Sequence, residues 1–176
     1  MKIENRFLGQ VLVSIYPKRG GTLMPPVFGV LLRSGKNVFA CTVAHLVDDR
    51  DDGYEIWDGI HPDRVREFGL KSKAQCLLDM SRDSLLAEGI IDNDADLLAI
   101  LLPEYHGPSL EVNKDIVDGE IGLLRPVLIA FPEYHPDEQG VLQNSTNGIA
   151  GLISQESSTH CIVTADGNAG MSGSIA

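Results

Sequence analysis

The sequence predicts an all-β protein built from two antiparallel β-barrels. Apolar residues come in short blocks, Gly, Pro, Asn and Asp separate the blocks, and long stretches with a 3.6-residue period are scarce. The chain has 176 residues, of which 43% are hydrophobic, so it can bury a real core. A length of this size suits one domain or two small barrels packed together.

The first barrel is predicted over residues 1–103. Ser34-Gly35-Lys36 lies between two apolar blocks and is typical of a hairpin turn. The acidic stretch Asp48–Pro62 predicts a surface loop, and Ser81–Ala87 is an alternative helix in a region otherwise predicted as strand. The predicted strands of this half are Phe7–Tyr16, Val27–Arg33, Asn37–Val43, Val65–Leu78, Ser84–Ile91 and Leu97–Leu102.

A linker and a second barrel are predicted in the rest of the chain. Pro103–Gly119 contains Pro, Gly, Asn and Asp, which favour a connection between two halves, so we expect a linker at 104–118 and the second barrel at 119–176. The strands predicted there are Ile121–Phe131, Gly140–Gln143, Ile149–Ser154 and His160–Thr164.

Composition excludes several classes of protein and site. The net charge of −11, with a dense acidic run at Asp48–Asp52, repels phosphate backbones and argues against nucleic-acid binding. No apolar run approaches the roughly 18 residues that a membrane span needs. Because the N-terminus has no secretory signal pattern, we expect a soluble, cytoplasmic protein.

The cysteines and acidic motifs predict neither a disulfide framework nor a metal site. Cys41, Cys76 and Cys161 are odd in number and lack metal-ligand spacing, so we expect all three to be buried as small apolar residues. The spacing at 92–96 fits the start of a calcium loop, but Leu97 and Pro103 stand where such a loop needs Gly and Glu. We expect no cofactor.

Two short motifs supply an imidazole and a carboxylate at the ends of apolar strands. His45 ends the apolar strand that contains Cys41 to Ala44, next to a turn. Asp96 immediately precedes the apolar run Leu97–Leu101, where a carboxylate must be paired or hydrogen-bonded, and an imidazole N–H would satisfy it. Each motif alone also fits a structural role, a packed histidine or a turn-capping aspartate.

The third motif surrounds Ser172 with glycines. Glycines beside a serine permit a tight backbone that exposes the hydroxyl and leaves nearby N–H groups free to point at one spot, as an oxyanion hole requires. The same pattern also occurs in ordinary turns. The three motifs come in the order His45, Asp96, Ser172, which is the order of the chymotrypsin triad.

These motifs resemble those of the trypsin/chymotrypsin-like serine peptidases, in particular the disulfide-free bacterial type. The resemblance extends from about Phe7 to Ala176. The matching segments are Thr42-Val43-Ala44-His45, Asp96-Leu97-Leu98-Ala99-Ile100-Leu101 and Gly170-Met171-Ser172-Gly173-Ser174.

The resemblance implies a serine endopeptidase that acts on a protein or peptide substrate. It makes Ser172 the nucleophile, His45 the general base and then acid, and Asp96 the residue that orients His45. The oxyanion donors would be the backbone N–H groups of Gly170 and Ser172. Asp166 lies at the offset where trypsins keep the carboxylate of the pocket for Lys or Arg, although Asp166-Gly167-Asn168 is equally typical of a turn.

The chain departs from the family in two places. Met171 stands where animal trypsins have an aspartate that pairs with a new N-terminus, so activation by N-terminal cleavage is not expected. Because Ser172 lies close to the last residue, Ala176, we expect an incomplete second barrel whose remaining strands lie on another chain. The alternative is a catalytically inactive protease-fold module that binds proteins.

Overall fold

A computed structural model describes residues 9–112, 126–156 and 161–164. The described part is mostly antiparallel β-structure with a few short helical segments, which confirms the predicted all-β class. The strands are β1 (Leu12–Arg19), β2 (Thr22–Leu23), β3 (Val27–Ser34), β4 (Asn37–Val43), β5 (Gly53–Trp57), β6 (Cys76–Ser81), β7 (Ile90–Asp92), β8 (Leu97–Leu101), β9 (Leu110–Glu111), β10 (Pro126–Pro136), β11 (Leu142–Glu156) and β12 (Cys161–Thr164). The helical segments include a 3-10 turn (Ala44–Leu46), α1 (Pro62–Arg66) and α2 (Arg82–Glu88).

The first nine strands form one curled sheet in the order β6-β5-β1-β3-β4-β8-β7, with β2 beside β1 and β9 beside β3. The sheet encloses a core to which β1, β3, β4, β5, β8 and α2 all contribute. Its fully buried members include Ile15, Leu31, Tyr54, Leu85 and Ile100. Burying side chains of this size is worth about 1.5–3 kcal/mol each, so the core is what holds β4 and β8 side by side.

Strand β1 is buried on both faces along most of its length. Val13 and Ile15 face the core of the curled sheet. On the other face, the Tyr16 hydroxyl accepts a hydrogen bond from the backbone N–H of His61 at 3.0 Å. The predicted hairpin between β3 and β4 is confirmed, because Ser34 pairs with Asn37 across a two-residue turn.

The stretch predicted as an acidic loop contains a strand, so this prediction is wrong. Strand β5 pairs with β1 and β6 in the interior of the sheet, and Tyr54 and Ile56 are fully buried. These two residues alternate with Glu55 and Trp57, which is the pattern of a half-buried strand. The strand was not predicted because the pattern is short and acidic residues come just before it.

The strand predicted over Val65–Leu78 is also wrong for most of its length. Residues 62–66 form α1, which begins with Pro62, a residue suited to the first helical position. Strand β6 starts only at Cys76. In the next segment the helical alternative is confirmed, because the Ser81 side chain caps α2 by accepting a hydrogen bond from the Ser84 N–H at 3.1 Å.

A second sheet contains β10, β11 and β12 in that order, all antiparallel. Strands β10 and β11 pair without interruption from Pro126↔Leu152 to Pro136↔Leu142. Strand β10 continues past the predicted end at Phe131, and β11 is one continuous strand where Gly140–Gln143 and Ile149–Ser154 were predicted as two. The backbone of Lys71 bonds to both Gly140 and Leu142 at 2.8 Å, which links the β10–β11 hairpin to the segment between α1 and β6. The division into two barrels with a linker at 104–118 stays a prediction.

The environments of two cysteines are described. Cys41 is buried, as predicted, and burial raises the pKa of its thiol to about 11. Cys76 is exposed, so its predicted burial is wrong: it begins β6, an edge strand. The side chain of Cys161 lies outside the described residues. Within the described ranges, no helix has the length and apolar character to span a membrane.

Candidate active site

His45 is presented to solvent by the turn that ends β4. The 3-10 turn Ala44–Leu46 buries Ala44 and Leu46 in the core, which leaves the intervening side chain directed outward. The side chain of His45 is 64% exposed. An apolar residue on each side therefore anchors the backbone while the imidazole stays accessible.

Asp96 lies at the start of β8, directly opposite the end of β4. Strands β4 and β8 are antiparallel neighbours, and Val43 pairs with Leu97 as the last pair of the ladder. The residues just beyond that pair, Ala44 and His45 on one strand and Asp96 on the other, must therefore lie close together. The register places side by side two residues that are 51 positions apart in the sequence.

Three hydrogen bonds join the two residues and their neighbour. The His45 ring nitrogen Nδ1 lies 2.7 Å from Asp96 Oδ2, and the His45 backbone N–H donates to Asp96 Oδ1 at 2.9 Å. The Ala44 N–H donates to the Asp96 backbone carbonyl at 3.0 Å. Both carboxylate oxygens are thus committed to His45, and the carboxyl plane is held in one orientation.

The backbone of Asp96 has φ 51°, in the left-handed region that non-glycine residues enter infrequently. The preceding turn is closed by Asp92, whose Oδ1 accepts the N–H groups of Asp94 and Ala95, each at 3.0 Å. Asparagine and aspartate tolerate left-handed backbone better than other side chains. Aspartate at position 96 therefore suits the backbone of the turn, and its carboxylate makes the contact with His45.

The hydrogen bonds also hold Asp96 in its charged form. The backbone N–H of His45, and after it the His45 ring, lower the pKa of the Asp96 carboxyl below its usual range. An ionised carboxylate only accepts hydrogen bonds, so Nδ1 of His45 carries the proton. In the neutral imidazole the lone pair is then on Nε2, for which no hydrogen-bond partner occurs among the described residues. The pair presents a basic nitrogen to solvent.

The other predicted site residues lie outside the described residues. They are Asp166, Gly170 and Ser172, and Met171 lies there as well. The assignment of His45, Asp96 and Ser172 to one site stays a prediction, of which the structure brings together the first two. In the described ranges, no group of three or more His, Cys, Asp or Glu side chains is arranged to hold a metal ion.

An ion pair between Arg19 of β1 and the buried Asp51, in the loop after His45, was not predicted from the sequence. Arg19 donates to Asp51 Oδ1 from Nε at 3.0 Å and from Nη2 at 2.7 Å, and the Asp51 side chain is only 1% exposed. The Tyr54 hydroxyl lies 3.3 Å from both Asp51 Oδ2 and the Asp48 backbone N–H. Burial raises the pKa of Tyr54 to about 12, so it stays a neutral donor. The network ties the loop to β1 and β5.

Proteins similar to this chain occur among solved structures. The chain is similar to the active form of the Rv3671c protease from Mycobacterium tuberculosis. The two are 14% identical with a TM-score of 0.48, and the match covers 98% of this chain and 68% of that one. No protein-family model matches the chain, and no curated protein matches it.

Proposed function

We propose that this chain is a serine endopeptidase whose triad is His45, Asp96 and Ser172. The observation that carries the proposal is the hydrogen bond of 2.7 Å between His45 Nδ1 and Asp96 Oδ2, on an imidazole that is 64% exposed. A carboxylate that fixes the tautomer of an exposed histidine leaves Nε2 as a base facing solvent, which is what a serine nucleophile needs. The glycine-flanked Ser172 is the proposed nucleophile.

The proposed reaction proceeds through an ester on Ser172. Its Oγ attacks the scissile carbonyl carbon while His45 Nε2 takes the hydroxyl proton, and the N–H groups of Gly170 and Ser172 stabilise the oxyanion. The C–N bond then breaks as His45 returns that proton to the leaving amine. Water attacks the ester with His45 again as the base, which releases the acid and restores the hydroxyl.

Asp96 contributes by orienting and stabilising His45. When the imidazole becomes protonated, its charge lies beside a carboxylate whose pKa is already lowered by the His45 backbone N–H. The carboxylate therefore needs no rearrangement as the charge develops, which is the condition for electrostatic preorganisation. Removing either member of such a unit removes most of its effect.

We further propose that Asp166 contributes to specificity for Lys or Arg. A carboxylate at the base of a pocket needs a cation, and a substrate side chain could supply one. Cleavage after Lys and Arg in a peptide library that disappears in Asp166→Ala supports this assignment. Preference for small apolar residues, unchanged by that substitution, contradicts it.

The triad is tested by hydrolysis of a quenched fluorescent peptide library. Ser172→Ala and His45→Ala should each remove nearly all activity, and the double variant should be little worse than either. Ser174→Ala is the matched control, because it removes a neighbouring hydroxyl in the same motif and should leave the rate unchanged. Activity that survives Ser172→Ala, or is lost equally in Ser174→Ala, would refute the assignment.

A further inference from the structure

The curled sheet does not close on itself in the part of the chain that the structure describes. Its two edge strands are β6 and β7. Strand β6 pairs with β5 from Gly53↔Ser81 to Trp57↔Cys76, and no described backbone segment pairs with its other side. An edge strand with unpaired N–H and C=O groups is a template for another strand.

A groove runs along the open side of β6. One cavity of about 760 Å³ is lined by residues 78–81, and an adjoining cavity of about 410 Å³ by residues 76–78. A cavity over one face of a strand would contact only alternate residues, because side chains alternate between the two faces. Each of the six residues of β6 lines one of these two cavities, as expected where a groove follows the open edge of the strand.

The opposite wall of the groove is formed by the end of β8 and the segment that follows it. Ile100 and Leu101 line the larger cavity, Leu102 lines the smaller one, and Pro103 lines both. Leu101 is 37% exposed, which leaves apolar surface open beside the unpaired edge. The six residues of β6 span about 20 Å, so its open edge can pair with an added strand of about six residues.

The groove is acidic. Asp79 and Glu88 line the larger cavity and Glu104 the smaller, and neither lining contains Lys, Arg or His among the described residues. Lys18 pairs with Asp79, whereas Glu88 and Glu104 are exposed and have no ion-pair partner in the described ranges. Two carboxylates without an ion-pair partner, beside the exposed apolar surface of Leu101, favour a ligand with cationic and apolar side chains.

We propose that β6 accepts an extended peptide segment of a partner protein, in which basic and apolar residues alternate, as an added antiparallel or parallel strand. The backbone hydrogen bonds would provide affinity, the apolar side chains would cover Leu101 and its neighbours, and the basic side chains would reach Glu88 and Glu104. The site is separate from the His45–Asp96 pair and does not depend on its chemistry.

The test uses fluorescein-labelled Lys-Val-Lys-Val-Lys-Val, with Glu-Val-Glu-Val-Glu-Val as the comparison, in fluorescence polarisation. We expect the basic peptide to bind and the acidic one to bind at least about tenfold more weakly, with a difference that shrinks as salt is raised. Hydrogen–deuterium exchange should show slower exchange at residues 76–81 on addition of the basic peptide.

Two sets of variants distinguish strand addition from general charge attraction. Glu88→Lys with Glu104→Lys should weaken binding by about fivefold, whereas the charge-matched pair Glu67→Lys with Glu138→Lys should not. Successive N–H groups of a strand point to opposite edges, so only one alternate set of the peptide's N–H groups can bond to β6. N-methylation of that set, either the lysines or the valines, should weaken binding by about tenfold, and N-methylation of the other set should not.

Several results would overturn the proposal. Equal binding of both peptides, equal effects of the two N-methylation patterns, or no change in exchange at residues 76–81 would each exclude strand addition at β6. Slow exchange of residues 76–81 in the free protein, with no peptide bound, would show instead that another part of this chain already covers the edge.

Discussion

Replacing Asp96 with asparagine separates the orienting role of this residue from its role in the fold. Asparagine also tolerates the left-handed backbone at φ 51°, and its carbonyl oxygen can still accept the His45 backbone N–H. Its amide nitrogen, however, is a donor at the position where Oδ2 accepts from His45 Nδ1 at 2.7 Å. The imidazole must then protonate Nε2, and the base is lost.

The substitution should therefore lower kcat greatly and the free energy of unfolding only slightly. Loss of the correct tautomer in a triad lowers kcat by about 10⁴-fold. The lost hydrogen bond is partly exposed and is worth about 1 kcal/mol, which lowers Tm by about 2–4 °C in a chain of this size. Peptide hydrolysis and thermal unfolding are measured on the same preparation. Asp94→Asn is the control, since this residue is close in sequence but bonds to Asp92 in the turn through its backbone N–H. Full activity in Asp96→Asn, or loss of activity in Asp94→Asn, would refute the reasoning.

Three further changes test the fold around the site. The His45 backbone N–H lowers the folded-state pKa of Asp96, so the carboxylate adds stability above its unfolded pKa of about 3.9 and loses that contribution as the pH falls through the folded value. The free energies of unfolding of the chain and of Asp96→Asn should therefore converge as the pH is lowered below about 4. A difference that stays constant with pH would contradict this. Arg19→Met removes the cation that pairs with the buried Asp51 carboxylate and should cost about 3 kcal/mol by urea denaturation, whereas Arg50→Met, at an exposed pair, should leave the urea midpoint nearly unchanged. Equal effects of the two changes would exclude a structural role for the Arg19–Asp51 pair. Leu98→Ala, in the core beneath the site, should cost about 2–5 kcal/mol in the same assay, and a cost near zero would mean that this core is not well packed.

The all-β class and the β3–β4 hairpin were predictable because they depend on local patterns. The turn at Ser34 to Asn37 carries its own glycine, at φ 60°, and the flanking apolar blocks are long. Strand β5 was missed because its buried positions, Tyr54 and Ile56, form too short an alternation to outweigh the acidic residues before it. Helix α1 was missed because its five residues bury only Val65, which leaves no helical period to detect.

The site shows the same division between local and long-range information. That Asp96 needed a partner followed from its place before an apolar strand, and an imidazole was the predicted partner. The contact itself depends on the register of β4 with β8, a long-range pairing that no local pattern contains. The Arg19–Asp51 pair was not predictable for a related reason, since the run at Asp48–Asp52 has the composition of a solvated loop while one of its carboxylates is buried.

Covalent labelling with a fluorophosphonate tests most directly whether His45 and Asp96 serve a nucleophile at Ser172. The chain is treated with the probe, digested, and the modified residue is identified by tandem mass spectrometry. We expect one adduct, on Ser172, formed at a rate that falls steeply in His45→Ala and is unchanged in Ser174→Ala. An adduct on another residue, or labelling of Ser172 at the same rate without His45, would contradict the proposed triad.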